Sequence, residues 1–121
     1  MSILLRHASA GDRYHWAGDD EHRPLDEKGR RQAEELAEVL ATDDVRRVVS
    51  SPYVRCVQTV EPLAARLGLD VEVDDRLAEG GGGSARALLE EGGVVACTHG
   101  DVIHELIGRG LKKAEYAVFP S

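Results

Sequence analysis

The stretch Ile3-Leu4-Leu5-Arg6-His7-Ala8, close to the start of the printed sequence, joins a short apolar run to an arginine and a histidine. Such a run followed by a turn is typical of a buried strand in a parallel sheet. In open α/β sheets, ligands bind just beyond the carboxyl ends of the strands. Arginine carries a permanent planar charge that suits phosphate oxygens, and histidine can form a covalent intermediate. The stretch therefore predicts a first strand over residues 2–6 with a candidate site at its end.

Two further apolar runs end in the same kinds of residue. The run Val48-Val49-Ser50-Ser51-Pro52 leads to Arg55, and the run Val94-Val95-Ala96-Cys97-Thr98 leads to His99. Because the carboxyl ends of parallel strands meet at one edge of a sheet, we expect these side chains to lie close together. Cations and imidazoles in that arrangement favour the binding of a phosphate group.

The apolar spacing and turn residues predict strands alternating with helices, which is typical of an α/β fold. We expect a three-layer α/β/α sandwich with a mostly parallel central sheet. Asp26, Ser51 and Asp101 are the predicted N-caps, and Gly68 is predicted to end the second helix. Besides residues 2–6, the predicted strands are Val45–Ser50, Val71–Val73, Val94–Thr98 and Ala117–Phe119, and the predicted helices cover about 27–41, 52–67, 84–91 and 102–108. We expect the glycines of residues 80–83 to form a flexible connection.

The composition limits the classes of partner. A net charge of −7 argues against a surface for nucleic acid or anionic membrane. No apolar run approaches the ~20 residues of a membrane span, and we expect a cytoplasmic protein. The two cysteines, Cys56 and Cys97, are predicted to be buried reduced thiols.

Four segments in order make the chain resemble the histidine phosphatase superfamily, which includes phosphoglycerate mutases and phosphohistidine phosphatases. They are Leu5-Arg6-His7-Ala8, Pro24-Leu25 with Gly29-Arg30-Gln32-Ala33, Ser51 to Thr59, and Thr98-His99-Gly100. The small size and the first segment are most similar to the short phosphohistidine phosphatase (SixA-like) branch. The chain is also similar to the histidine phosphatase half that is fused to some Nudix hydrolases. The resemblance implies a phosphoglycerate mutase-like fold and a single histidine phosphatase domain over residues 1–121.

The resemblance also implies roles for the residues at the strand ends. His7 is the predicted nucleophile, whose neutral ring nitrogen attacks phosphorus and forms a phosphohistidine. Its other ring nitrogen must then donate to an acceptor, for which a backbone carbonyl in the turn could serve. Arg6, Arg55 and His99 are predicted to bind the phosphoryl oxygens. A neutral His7 and a protonated His99 predict a bell-shaped rate profile that varies between about pH 5 and 8.

Hydrolysis of a phosphomonoester also requires a proton for the leaving oxygen. The resemblance implies an acidic residue after a middle strand, and Glu79 is the best positional match. Asp101, directly beyond His99 and Gly100, is the alternative. The predicted catalytic residues are therefore His7, Glu79 and His99, and the resemblance implies no metal ion and no organic cofactor.

These assignments predict a metal-independent phosphatase that acts on a phosphomonoester or on protein phosphohistidine through phospho-His7. The expected partner is a phosphorylated small molecule or a phosphohistidine protein, with neither nucleic acid nor membrane involved. The sequence leaves the oligomeric state open. Two alternatives remain at this point: a phosphotransferase of the phosphoglycerate mutase type, and a non-catalytic phosphate-binding or regulatory module.

Overall fold

A computed structural model describes residues 1–120, and Ser121, the last residue of the predicted domain, lies outside the described residues. The five strands and four α-helices follow the predicted α/β order closely. The strands are β1 (Ser2–Arg6), β2 (Arg47–Ser50), β3 (Val71–Val73), β4 (Val94–Thr98) and β5 (Tyr116–Phe119). The helices are α1 (Glu27–Leu40), α2 (Val54–Leu67), α3 (Arg86–Glu90) and α4 (Gly100–Ile107).

The strands form one sheet in the order β3-β2-β4-β1-β5. Strand β4 pairs in parallel with both β1 and β2, and β2 pairs in parallel with β3, while β5 is antiparallel to β1. The register places Arg6 opposite Thr98 and Ser50 opposite Cys97. The carboxyl ends of β1, β4 and β2 are therefore neighbours at one edge of the sheet.

Helices cover both faces of this sheet, which confirms the predicted three-layer sandwich. Successive strand residues such as Leu4 and Leu5 point to opposite faces. Leu4 belongs to the core beneath α3 and α4, whereas Leu5 belongs to the core beneath α1 and α2. Among residues 1–120, no helix reaches the length and apolarity that crossing a lipid bilayer requires.

The turn after β1 is fixed against the start of α1. Asp26 is the N-cap, as predicted, and its side chain accepts a hydrogen bond from the Gly29 backbone N–H at 2.7 Å. The same carboxylate accepts from the Ser9 hydroxyl at 2.7 Å. A Cβ at Gly29 would lie 1.9 Å from the Ser9 carbonyl oxygen, so only glycine allows this approach. The start of α1 therefore holds the chain that leaves β1.

Two predicted helix caps are wrong. Helix α2 begins after Tyr53 rather than Ser51, and α4 begins after His99 rather than Asp101, without a side-chain cap in either case. The hydroxyl of Ser51 and the carboxylate of Asp101 make other contacts, which are described below. Gly68 ends α2 in the left-handed conformation, as predicted.

The glycine run of residues 80–83 forms a turn with specific contacts. The Gly81 N–H donates to the Ala78 carbonyl at 2.9 Å, and Gly80 has φ of +83°. A Cβ at Gly81 would lie 2.3 Å from the Arg76 carbonyl oxygen. Glycine is therefore needed at position 81 for close backbone approach and is favoured at position 80 by its dihedral angle.

Candidate active site

The carboxyl edge of β1, β2 and β4 borders a cavity of about 650 Å³. All five residues with predicted roles line it: Arg6, His7, Arg55, Glu79 and His99. From the long loop after β1, Arg13 and Arg23 also line the cavity, whereas His15, Trp16 and His22 are not among its lining residues. The fold therefore brings together side chains that lie far apart along the sequence.

His7 is held in one orientation by the turn that follows β1. Its Nδ1 lies 2.8 Å from the carbonyl oxygen of Ala8, and only 5% of the residue is exposed. Because a carbonyl can only accept, Nδ1 carries the proton in the neutral ring and Nε2 keeps its lone pair. Burial lowers the pKa of His7 to about 3, and the positive charges of Arg55 and Arg6 add to this shift. The ring is thus neutral around pH 7, as a nucleophile must be.

This shift lowers the pH expected for the acid side of the predicted bell-shaped rate profile. A limb set by His7 in the free protein lies near its pKa of about 3, below the range of about pH 5 to 8 expected from ordinary histidine. The physical cause is the buried position of the ring, which the sequence does not reveal.

His99 lies across the cavity from His7, and the centroids of their rings are 5.5 Å apart. Its Nε2 lies 2.8 Å from the Ser51 hydroxyl, and its Nδ1 lies 3.6 Å from a Glu79 carboxylate oxygen. The ring of Tyr53 packs edge-on against it, with centroids 4.5 Å apart. These contacts fix the plane of the His99 ring.

Arg55 is buried in the first turn of α2 and is held by two carboxylates. Its Nη2 donates to Asp20 at 3.1 Å and to Glu79 at 2.9 Å, and its Nη1 donates to the Asp20 carbonyl at 2.9 Å. Arg23, also buried, donates to the second oxygen of the Asp20 carboxylate at 2.9 Å. Burial acts to raise the pKa of Asp20, but the hydrogen bond from Arg23 and the charge of Arg55 leave it below its ordinary value.

Three buried nitrogen atoms at the cavity have no hydrogen-bond partner among the described residues. They are Nε of Arg6, Nε of Arg55 and Nδ1 of His99. The Nη1 of Arg6 donates to the Leu111 carbonyl at 2.8 Å, which anchors that guanidinium to the segment between α4 and β5. Buried donors are nearly always satisfied in native proteins, so three such atoms around one cavity indicate a site for an acceptor-rich anion.

The two candidate proton donors differ in their surroundings. Glu79 contacts Arg55 and lies near His99. The segment before Glu79 is anchored to β4, because the Thr98 hydroxyl donates to the Leu77 carbonyl at 2.5 Å. The Asp101 carboxylate instead accepts from the Gly80 backbone N–H at 2.7 Å. The geometry therefore favours Glu79 over Asp101 for direct contact with a bound phosphate. No cluster that could hold a metal ion occurs within residues 1–120.

Sequence reasoning missed three residues that contact the side chains or the turn bordering the cavity. Ser51 contacts His99, Asp20 contacts Arg55, and the Thr59 hydroxyl accepts from the Ala8 N–H at 3.0 Å. Ser51 and Thr59 lie within the segment that resembles the family, but their contacts cross long sequence separations. Asp20 lies in a loop rich in charge, where nothing in the pattern distinguishes it from its acidic neighbours.

The family model for the histidine phosphatase superfamily, branch 1, matches residues 2–91. The chain belongs to the histidine phosphatase superfamily. The matched range includes four of the five predicted site residues. It ends before His99, which directly follows β4 and lies at the same cavity.

Individual relatives agree with this assignment. An 8-oxo-(d)GTP phosphatase of Mycolicibacterium smegmatis is 38% identical over 93% of this chain. A 2,3-bisphosphoglycerate-dependent phosphoglycerate mutase of Thermoplasma acidophilum is 36% identical over 71% of the chain. The aligned regions cover 38% and 44% of these relatives, so this chain corresponds to less than half of either protein.

A solved structure shares the fold. The protein histidine phosphatase SixA, in complex with tungstate, superposes with a TM-score of 0.64 at 28% identity. The match covers 90% of this chain and 78% of that one. The phosphoglycerate mutase-like fold predicted from the sequence is therefore confirmed.

Proposed function

We propose that this chain is a metal-independent phosphatase that forms a covalent phosphohistidine on His7. The observation that carries the proposal is the set of three unpartnered buried nitrogen atoms, from Arg6, Arg55 and His99, which all line the same cavity as His7. A phosphoryl group offers several acceptor oxygens and negative charge, which suits two guanidinium groups and an imidazole N–H.

In the first step, Nε2 of His7 attacks phosphorus and the bond from phosphorus to the leaving oxygen breaks. Arg6, Arg55 and His99 stabilise the charge on the other phosphoryl oxygens. Glu79, in its protonated form, gives a proton to the leaving oxygen.

In the second step, water attacks phospho-His7 and releases inorganic phosphate. The Glu79 carboxylate, having lost its proton, accepts one from the attacking water. The bond between phosphorus and His7 breaks, and Nε2 recovers its lone pair. The Nδ1–H bond to the Ala8 carbonyl holds the ring in place through both steps.

The cavity has room for more than a phosphate. Its outer wall carries Arg13, Tyr14 and Lys113, and Tyr14 is 88% exposed. This open, mixed surface supports a phosphorylated small molecule or a phosphohistidine on another protein as substrate. The similarity to an 8-oxo-(d)GTP phosphatase adds nucleotides to the compounds worth testing.

The test is to trap the covalent intermediate in the presence of a chelator. We expect aryl phosphate hydrolysis to persist in EDTA, and we expect mass spectrometry under alkaline conditions to find one phosphoryl group on His7. The His7→Ala variant, prepared in the same way, should lack both the label and the turnover. Tight binding of inorganic phosphate without turnover of any substrate would instead support the non-catalytic module.

A substrate profile separates the remaining alternatives. Phosphohistidine protein, sugar phosphates and nucleotides should be compared side by side by the release of inorganic phosphate. Transfer of the phosphoryl group to a second alcohol in preference to water would indicate the mutase type. The proposed phosphatase predicts that water is the main acceptor.

A further inference from the structure

We propose that Ser51 is a positioning residue that places the proton of neutral His99 on Nδ1, facing the phosphate. The inference deepens the proposed function and rests on it for its catalytic meaning, but the position of the proton can be measured without any substrate.

The place of Ser51 is fixed by the backbone. Ser51 follows β2 directly, is fully buried, and its N–H donates to the Cys97 carbonyl on β4 at 3.0 Å. His99 follows the end of β4 directly, so the pairing of β2 with β4 brings these two residues together. The hydroxyl position is thus set by the sheet rather than by a mobile loop.

The contacts of the Ser51 hydroxyl give it a direction. Its oxygen accepts from the Tyr53 backbone N–H at 3.2 Å and lies 2.8 Å from Nε2 of His99. A hydroxyl group that already accepts from an amide still has its own hydrogen to donate. The hydroxyl can therefore donate to Nε2, which then needs its lone pair and leaves the ring proton on Nδ1.

The surroundings of Nδ1 require the same arrangement. Nδ1 is buried at the cavity, without a hydrogen-bond partner among residues 1–120, and lies 3.6 Å from a Glu79 carboxylate oxygen. A lone pair there would be repelled by the carboxylate and by a phosphate oxygen, whereas an N–H would be attracted by both. In the protonated ring both nitrogens carry a proton, so Ser51 decides the outcome only in the neutral ring.

One competing contact limits the expected effect. The Cys56 thiol lies 3.6 Å from the same Nε2 and is a weak donor. The Tyr53 and His7 rings also pack against His99 and hold its plane. Loss of the Ser51 hydroxyl removes the shorter contact of Nε2, so the fraction of neutral His99 with its proton on Nδ1 is expected to fall while the ring stays in place.

The functional consequence is a hydrogen bond that does not depend on a positive ring. Because neutral His99 keeps an N–H toward the phosphate, it stabilises the phosphoryl oxygens without first becoming an imidazolium. His7 and His99 thus carry the same tautomer for opposite reasons. His7 needs a free lone pair on Nε2, and His99 needs a donor on Nδ1.

The experiment measures the ring nitrogens by NMR in phosphate-free protein labelled with ¹⁵N-histidine, at a pH where neutral rings predominate. His99 signals are assigned by their loss in the His99→Gln variant. We expect the wild-type His99 to show a protonated Nδ1 and an unprotonated Nε2. A neutral His99 with its proton on Nε2 would overturn the proposal without any variant being needed.

Two serine variants test the cause. Ser51→Ala should lower the fraction of neutral His99 that has its proton on Nδ1, and it should lower kcat/KM by about 10–100-fold, the loss that follows removal of the partner that orients a metal-bound histidine. Ser50→Ala is the matched control, because Ser50 is also fully buried and donates to the Ser51 carbonyl at 2.8 Å without contacting His99. It should leave the His99 signals unchanged.

The outcomes for the two proposals are separate. An unchanged His99 tautomer in folded Ser51→Ala, or the same shift in Ser50→Ala, would overturn the role of Ser51. Absence of phosphohistidine in the wild type would overturn the proposed function while leaving the measured tautomer valid. Folding of both variants is checked by their unaltered His7 signals.

Discussion

The turn after β1 and the turn after β4 each carry an imidazole to the same cavity, but they hold it by different means. His7 is bound by the carbonyl of the next residue, Ala8, whereas His99 is bound by a hydroxyl 48 positions away in the sequence. The first arrangement is local and follows from the shape of the turn. The second depends on the pairing of β2 with β4. Similar chemistry at two strand ends therefore has one local and one long-range origin.

Removing each ring is the strongest test of this comparison. His7→Ala should lose phosphatase turnover and the phosphohistidine completely, because no other residue is proposed as the nucleophile. His99→Ala should still form the phosphohistidine, but with kcat lowered by about 10²–10³, the usual cost of one donor to a charged transition state. Rapid-quench labelling measures both rates. A phosphohistidine in His7→Ala would show that another histidine is the nucleophile.

The side of the cavity near His99 can be tested through its acid. Glu79→Gln should lower the hydrolysis of an alkyl phosphate by about 10²–10⁴, because the poor leaving group needs a proton. An aryl phosphate with a better leaving group should be affected much less. Steady-state kinetics on the two substrates measure the difference.

Asp101→Asn is the matched control for this variant, because it removes one carboxylate charge from the same cavity. We expect a loss of activity that is smaller than in Glu79→Gln and about equal on the alkyl and the aryl phosphate, since Asp101 accepts from the Gly80 N–H. A larger selective loss on the alkyl phosphate in Asp101→Asn than in Glu79→Gln would exchange their roles.

The buried ring of His7 should also affect stability in acid. The pKa of an unperturbed histidine is 6.5 and that of His7 in the folded protein is about 3, so between these values only the unfolded chain binds the proton. The free energy of unfolding should therefore fall as the pH falls below about 6.5, by at most about 1.4 kcal/mol per pH unit. The fall continues until the pH reaches the folded-state pKa.

Urea unfolding of the wild type and of His7→Asn at several pH values isolates this contribution, because other groups titrate equally in both proteins. Relative to that of His7→Asn, the free energy of unfolding of the wild type should fall as the pH falls. A difference that is constant from about pH 6.5 to 4 would show that His7 titrates normally.

The smallest expected effect concerns the contacts behind each turn. Thr59→Val leaves the buried Ala8 N–H without its acceptor and should lower the free energy of unfolding by about 1–3 kcal/mol. Thr98→Val removes a donor from the Leu77 carbonyl and should cost less, because an unpaired carbonyl is better tolerated than an unpaired N–H. Chemical denaturation measures both, and the reverse order would contradict the comparison.

The same division explains what could be predicted from the sequence. The Asp26 cap and the bounds of β1, β3 and β4 depend on local patterns, and the structure agrees with them, whereas β2 begins at Arg47 rather than Val45 and β5 begins at Tyr116 rather than Ala117. Ser51 is predicted as a helix cap because serine before a helix usually has that role. The prediction is wrong, since α2 begins after Tyr53. The contact of Ser51 with His99 requires the register between β2 and β4, which no local pattern specifies.

The loop after β1 shows the second limit. It carries many charged residues, of which Arg13 and Arg23 line the cavity. The choice of Asp20 as the partner of both Arg23 and Arg55 could not be made, because the loop carries several equivalent carboxylates. The low pKa of His7, about 3, could not be predicted for a related reason, since burial of His7 is a property of the whole fold.

The contacts of Arg55 with Asp20 and Glu79 bear on the rate at which an anion is captured. A guanidinium that is already immobile has little side-chain entropy left to lose when the anion arrives. The two carboxylates also compensate its charge, so an incoming dianion exchanges one set of ionic partners for another. Capture should therefore depend on ionic strength less steeply than it would at an uncompensated arginine.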